Sequence, residues 1–216
     1  MFDAVDGEPP DLPWTPATAA RVVPSLTNLA QAGTPCPVPD LLAVPDRLAG
    51  ELAAWPALAA RPPADLDPWE RRHLDRLAAV PDRLTASGGL SGETLVHLDL
   101  RADNLLVTPD GAVFVVDWPW AACGAAWVDT VVFALDHDVH GGVDQEWLVA
   151  DSPVVAGADP ADVTDLLLAL TGTFAQAMRR PPPPGLPTLR DFQRRFHDAA
   201  LAWARRRVDG GPARPR

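Results

Sequence analysis

Lysine is absent from this chain of 216 residues, and its 18 lysine-plus-arginine positions are all arginines. This absence excludes a G-x-x-x-x-G-K-[ST] phosphate-binding loop from these residues, since that loop needs its lysine. An arginine does not simply take over, because its planar guanidinium delivers charge in a different geometry from an ammonium group. The formal net charge of −11 also argues against nucleic acid as a partner, because phosphate backbones are bound by clustered cations.

Cysteine and long apolar runs are scarce as well. The two cysteines, Cys36 and Cys123, are too few for a disulfide framework, and we expect free thiols in a reducing cytosol. No apolar run approaches the roughly 18 residues of a membrane span. The acidic N-terminus, MFDAVDGEPPD, lacks the basic-then-apolar pattern of a signal peptide. We therefore expect a cytoplasmic protein without membrane association.

Helical patterns flank a short region of strand pattern. Thr15 and Pro16 are typical of a helix N-cap and first helical position, and they predict where the first helix begins. Pro81 predicts an interruption in the third helical stretch, because proline removes a backbone donor. The patterns predict helices over residues 16–33, 45–60 and 67–87 before the strands, and over 125–139, 160–179 and 188–208 after them.

Three short strands are predicted between these helices, from the segments ETLVHL, NLLV and AVFVVDW. The last two are joined by Thr108-Pro109-Asp110-Gly111, which is typical of a tight turn between apolar strands. The predicted fold class is therefore α+β and mainly α, with a small β-hairpin between two groups of helices.

Polar side chains interrupt the apolar frame of the strand region at matched spacings. His97, Asp99 and Asn104 form a His-x-Asp-x-x-x-x-Asn pattern, and Asp117 ends the second hairpin strand. A hairpin that leaves Asn104 and returns brings Asp117 back beside it. An amide oxygen and a carboxylate are hard ligands suited to Mg²⁺ that also holds phosphates. Asp99, on the preceding loop, is then a carboxylate in position to take a proton from a hydroxyl group.

The segment HLDLRADN followed by VVDWPWA resembles the catalytic region of the kinase-like fold, in its aminoglycoside phosphotransferase and choline kinase branch. That branch carries His-x-Asp-x-x-x-x-Asn and then Ile/Val-Asp-Trp-x-x-Ala. The resemblance covers about residues 2–205, and its specific part is 92–130. It implies the C-terminal lobe of an ATP-dependent enzyme that transfers the γ-phosphate to a hydroxyl group of a small molecule.

The same resemblance implies roles for individual residues. Asp99 is the catalytic base, Asn104 and Asp117 hold Mg²⁺ and through it the nucleotide, and Arg101 approaches the transferred phosphoryl group. His97 supports the loop structurally, and Asp129 bonds the backbone of the catalytic loop. From the residues alone, Arg101 is equally well an exposed arginine without a role, and Asp129 a favourable charge at a helix N-terminus.

Two parts that this fold uses for nucleotide binding are missing, namely a Gly-rich loop and a strand lysine. The stretch MFDAVDGEPPDLPWTP resembles the linker that follows the N-terminal lobe in this family and contacts the adenine, which assigns Phe2 to the nucleotide. The expected division is a hinge-like linker over 1–15, a C-terminal lobe over 16–208 and a tail over 209–216. Without the other lobe we expect weak or absent catalysis.

Two other interpretations stay open at this point. The doublet and spacing in His137-Asp138-Val139-His140 are also found in metal-dependent phosphohydrolases, but the cluster lies at a helix end, where histidine commonly caps carbonyls, and we favour that interpretation. A lone lobe could instead be a non-catalytic binding module or a vestigial remnant. A group of acids after the hairpin would attract a cationic acceptor or form a solvated face; its members are Asp136, Asp138, Asp144, Glu146 and Asp151.

Overall fold

The computed structural model describes residues 4–142 and 145–210. The helices are α1 (Pro16–Ala32), α2 (Val44–Arg47), α3 (Ala49–Leu52), α4 (Ala54–Ala60), α5 (Pro68–Arg72), α6 (Leu74–Ala78), α7 (Val80–Ser87), α8 (Val128–Val139), α9 (Gln145–Asp151), α10 (Pro160–Ala177) and α11 (Leu189–Asp209). The strands are β1 (Thr94–Val96), β2 (Leu105–Val107), β3 (Val113–Val115) and β4 (Ala122–Gly124). The predicted class, mainly helical with a small β-hairpin, is confirmed.

The chain divides into two compact units. The first contains residues 4–44 together with 91–142 and 145–158, and the second contains 45–90 together with 159–210. The division into linker, lobe and tail expected from the sequence uses different boundaries and stays a prediction. In the part of the chain that the structure describes, no helix has the length and apolar character that crossing a bilayer requires.

All four strands lie in the first unit, in two antiparallel pairs. β2 and β3 form the predicted hairpin, with Leu106 opposite Phe114. Its turn closes through bonds of 2.9 Å from the Thr108 N–H to the Ala112 carbonyl and from the Gly111 N–H to the Thr108 carbonyl. Gly111 has a φ of 89°, which glycine adopts without steric cost.

In the second pair, β1 was predicted and β4 was not. β1 pairs with β4, so that Leu95 lies opposite Cys123, and no strand was expected over residues 122–124. The end of α1 lies beside this pair, because the Leu95 N–H donates to the Gly33 carbonyl at 2.9 Å. The predicted start of α1 is confirmed, since the Thr15 hydroxyl accepts from the Thr18 N–H at 3.2 Å.

The second unit is helical, and its core contains the buried residues Trp55, Trp203, Leu166, Leu167 and Leu168. The helical stretch expected over 67–87, with its interruption at Pro81, is three short helices, α5, α6 and α7. They are separated at His73 and Ala79, while Pro81 lies in the first turn of α7, where its missing N–H is tolerated.

The close contact between α4 and α10 makes one glycine sensitive to substitution. The Trp55 indole donates to the Leu168 carbonyl at 2.7 Å, and a Cβ on Gly172 would lie 2.6 Å from the indole ring. We expect Gly172→Ala to destabilise the protein by about 1–2 kcal/mol, since overpacking outweighs the gain in helix propensity. Gly50→Ala is the control, because nothing lies within 4 Å of that position. Equal urea midpoints for the two variants would contradict the prediction.

Candidate active site

A loop over residues 97–104 connects β1 to β2 and contains most of the predicted site. β1 leads into His97, and a short 3-10 turn over Ala102–Asn104 returns the chain to β2. The Val116 N–H, just beyond β3, donates to the Asn104 carbonyl at 2.9 Å. Asp117 therefore follows directly after a residue that is bonded to Asn104, as the hairpin argument predicted.

Asp99 and Asn104 contact each other directly. The Asn104 amide nitrogen donates to the Asp99 carbonyl at 2.7 Å and to the Asp99 carboxylate at 3.2 Å. Arg101 Nε lies 3.4 Å from the other oxygen of that carboxylate. Burial raises the pKa of Asp99, whereas Arg101 and Asn104 act in the opposite direction. A carboxylate with a raised pKa that keeps part of its surface open is suited to accept a proton.

The same geometry indicates how Asn104 and Asp117 could bind a metal ion. Asn104 is buried, and because its amide nitrogen faces Asp99, its amide oxygen is the atom left for a metal. Asp117 is exposed, with a φ of 63° that places a non-glycine residue in the left-handed region. An amide oxygen and a carboxylate fit Mg²⁺ well, since that ion takes few protein ligands and completes its shell with water and phosphates.

His97 is buried and joins the loop to the end of the hairpin. Its Nε2 donates to the Val116 carbonyl at 2.9 Å, and its Nδ1 accepts from the Asp99 N–H at 3.2 Å. Its ring also contacts the Trp118 indole edge-on, at 4.7 Å between centroids. These bonds fix the tautomer, and they orient the Asp99 backbone relative to the segment after β3 that carries Asp117.

The start of α8 supports the same loop through Asp129. The two carboxylate oxygens of Asp129 accept from the His97 N–H at 2.7 Å and from the Leu98 N–H at 2.8 Å. Burial raises the pKa of Asp129, and the two backbone donors oppose that shift because they favour the charged form. The bonds allow Leu98 to keep its φ of 64°, a left-handed conformation that is costly for a leucine.

A second carboxylate on α8 was missed as a loop contact. Asp136 is 1% exposed, and its carboxylate accepts from the Ala102 N–H at 3.0 Å. His140 Nδ1 lies 3.2 Å from the other oxygen of that carboxylate. Asp136 and Asp129 are seven residues apart, which is two helical turns and hence the same face of α8. The sequence analysis grouped Asp136 with acids that would attract a cationic acceptor substrate or form a solvated face. Its burial against the loop removes it from that group.

The remaining predicted residues make fewer contacts with the loop or lie outside the described residues. Arg101 pairs with the exposed Asp103 at 3.0 Å as well as with Asp99. Phe2 and Asp144 lie outside the described residues.

Within residues 4–142 and 145–210, no three His, Cys, Asp or Glu side chains are placed to hold a metal ion, so the phosphohydrolase interpretation gains no support. His137 is stacked on the Trp14 indole at 5.1 Å instead.

Solved structures of choline kinase-related proteins share the fold of this chain. A choline/ethanolamine kinase family protein from Mesorhizobium loti is 14% identical, with a TM-score of 0.53 over 90% of this chain and 63% of that one. The choline kinase LicA from Streptococcus pneumoniae is 15% identical, with a TM-score of 0.51 over 88% and 61%. These similarities establish the kinase-like fold, and this chain spans about three fifths of each structure's length.

A sequence-family comparison then defines the family. The model of the phosphotransferase enzyme family matches residues 2–163. This chain belongs to that family, and the resemblance drawn from HLDLRADN and VVDWPWA is confirmed. A comparison with curated proteins found no significant match.

Proposed function

We propose that these residues carry the catalytic base and the metal ligands of an ATP-dependent kinase that phosphorylates a hydroxyl group of a small molecule. Family membership supports phosphotransfer to a small molecule. The observation that carries the finer proposal is the contact of the Asn104 amide with Asp99, together with the bond that ties Asn104 to Val116, next to Asp117. These contacts bring one base and two hard oxygen ligands to a single loop and hairpin.

Each residue then has a chemical task. Asp99 accepts the proton of the acceptor hydroxyl. As it does so, the hydroxyl oxygen of the acceptor bonds to the γ-phosphorus, and the bond from that phosphorus to the bridging oxygen of ADP breaks. Arg101 lies beside Asp99 and offers positive charge for the transferred group. Asn104 and Asp117 would hold Mg²⁺, which neutralises the phosphate charge when bound. His97, Asp129 and Asp136 keep the loop backbone in place.

The acceptors to test first are cationic amino alcohols and amino sugars. The formal net charge of −11 favours the approach of a cation, and the names of the structural neighbours refer to choline and ethanolamine. Phe2 as an adenine contact and a cytoplasmic location belong to the same proposal. A polypeptide lacking a nucleotide-binding lobe would turn over weakly, because the Gly-rich loop and its lysine would be missing.

Asp99→Asn tests the assigned base. In the longest native polypeptide that contains these residues, we expect the substitution to lower phosphoryl transfer by about 10²–10⁴-fold, the usual contribution of a general base. Mg²⁺·ATP affinity, measured by calorimetry, should change little, because the Asn104 amide oxygen and Asp117 remain. Transfer is measured as labelled phosphate moving from ATP to a panel of amino alcohols and amino sugars.

Asp103→Asn is the matched control, since Asp103 is an exposed carboxylate in the same loop, and we expect near-normal transfer. Equal turnover of Asp99→Asn and the unsubstituted protein would reject Asp99 as the base. Nucleotide binding without transfer to any acceptor in the unsubstituted polypeptide would favour a binding module instead.

A further inference from the structure

Residues 33–43 lie along the β1–β4 pair and are bonded to both strands. The Leu95 N–H donates to the Gly33 carbonyl, and the Thr34 and Thr94 hydroxyls are 2.7 Å apart. At the other end of the segment, the Cys123 N–H donates to the Leu42 carbonyl at 2.9 Å. We call residues 33–43 the strap. Its two ends are thus fixed on the sheet whose first strand leads into the catalytic loop.

Both cysteines of the chain lie where the strap meets the start of β1. The Cys36 N–H, on the strap, donates to the Glu93 carbonyl at 2.6 Å. The Cys123 thiol, on β4, lies 3.5 Å from the carbonyl of Gly92, the residue before Glu93. The strand register places the two residues close together, since Cys123 lies opposite Leu95 and Cys36 is bonded to Glu93, two residues earlier, although the cysteines are 87 positions apart in sequence. Both side chains keep part of their surface exposed.

We propose that Cys36 and Cys123 form a thiol–disulfide exchange site that closes into an intramolecular disulfide on contact with a small-molecule disulfide of the oxidised glutathione class. The hydrogen bonds at Glu93, Gly92 and Leu42 fix both cysteines beside the start of β1, so that the second thiol meets a mixed disulfide on the first within the same molecule. This inference is independent of the proposed kinase activity.

The exchange is balanced without any further reactant. One protein thiolate attacks a sulfur of oxidised glutathione, forming a mixed disulfide and releasing one glutathione thiolate. The second protein thiolate attacks the protein-side sulfur and releases the second glutathione. Two protein thiols become one disulfide, one oxidised glutathione becomes two reduced molecules, and the two thiol protons pass to them.

The surroundings of Cys123 set the pH at which it reacts. Burial raises the pKa of the Cys123 thiol, and the neighbouring Cys36 and Glu93 raise it further. Because the thiolate is the nucleophile, exchange that begins at Cys123 should accelerate as the pH rises. Once closed, the disulfide would join the strap covalently to β4, beside the strand that positions His97.

The test uses the folded chain, oxidised glutathione and intact-mass measurement. We expect the loss of both free thiols, a mass decrease of two hydrogen atoms, no retained glutathione, and one cross-linked peptide pair. Cys36→Ser and Cys123→Ser should each stop at a mixed disulfide, which is heavier by one glutathione less two hydrogen atoms. The chain in urea is a matched control, and there we expect mixed disulfides to dominate because the thiols are no longer held together.

Three results would overturn the proposal. The folded chain could retain glutathione on both cysteines, it could form disulfide-linked dimers, or it could close no faster when folded than in urea. A trivalent arsenical gives a second measurement that does not depend on oxidation, because it bridges only two nearby thiols. We expect it to prevent oxidised glutathione from closing the disulfide in the unsubstituted chain, and equal closure with and without it would count against the site.

Discussion

Replacing Asp129 by alanine is expected to lower the free energy of unfolding by about 2–6 kcal/mol, because two backbone N–H groups lose their acceptor. The carboxylate accepts from the His97 and Leu98 amides at 2.7 and 2.8 Å, and it satisfies both backbone donors. Urea unfolding followed by circular dichroism measures the loss. Amide hydrogen exchange should also become faster at His97 and Leu98.

Asp191→Ala separates this effect from the ordinary preference for acids at a helix start. Asp191 lies in the first turn of α11, as Asp129 does in α8, but it is exposed. We expect its removal to cost no more than about 1 kcal/mol, the usual range of a charge at a helix N-terminus. Similar losses for the two variants would mean that Asp129 acts only through the helix dipole.

The second large effect is expected from Glu70→Ala, at about 3–5 kcal/mol, the usual range for breaking a buried ion pair. Glu70 is 0% exposed and His197 is 4% exposed, and His197 Nε2 lies 2.7 Å from a Glu70 oxygen. The other Glu70 oxygen accepts from the Asp67 N–H at the start of α5. The substitution removes both acceptors, and urea unfolding measures the result.

The same pair should make stability depend on pH. Burial favours the neutral imidazole, but the Glu70 and Asp198 carboxylates outweigh it and raise the pKa of His197 above 6.5. The imidazolium is therefore favoured by folding, and its contribution is complete below the unfolded pKa and is lost as the pH rises through the folded one.

The difference in unfolding free energy between the unsubstituted protein and His197→Gln isolates this contribution from other titrating groups. We expect the difference to shrink as the pH rises above about 6.5, the ordinary pKa of histidine. A difference that stays constant across that range would show that His197 does not change its charge there. Glu70→Gln offers a further comparison, since it keeps the shape of the side chain and removes its charge.

The parts of the site that local chemistry determines could be predicted from the sequence. The turn at Thr108–Gly111 required two short strands on either side, and the hairpin then brought Asp117 back to Asn104. The start of α1 followed from Thr15 and Pro16 for the same reason, since a helix cap is decided by a few neighbouring residues. These features needed no knowledge of distant contacts.

What could not be predicted depended on partners far away in the chain. β4 is Ala-Cys-Gly, a segment with little strand preference, and it is a strand because β1 is available to pair with it. α9 was missed as well, and the helical stretch expected over 67–87 breaks at His73 in addition to the break at Ala79, just before Pro81. Asp136 looked like one acid among several, although its spacing of seven from Asp129 was a usable signal.

The contacts of α8 mean that the spacing of two carboxylates on one helix determines how the loop over residues 97–104 is held. Asp129 and Asp136 hold the loop at His97–Leu98 and at Ala102, and seven residues of helix rise about 10 Å. Adding one residue between them would rotate the second carboxylate by about 100° and release Ala102, with every residue of the loop unchanged. The distance between the two anchored points of the loop is thus set by two aspartates on a helix some thirty residues later in the chain.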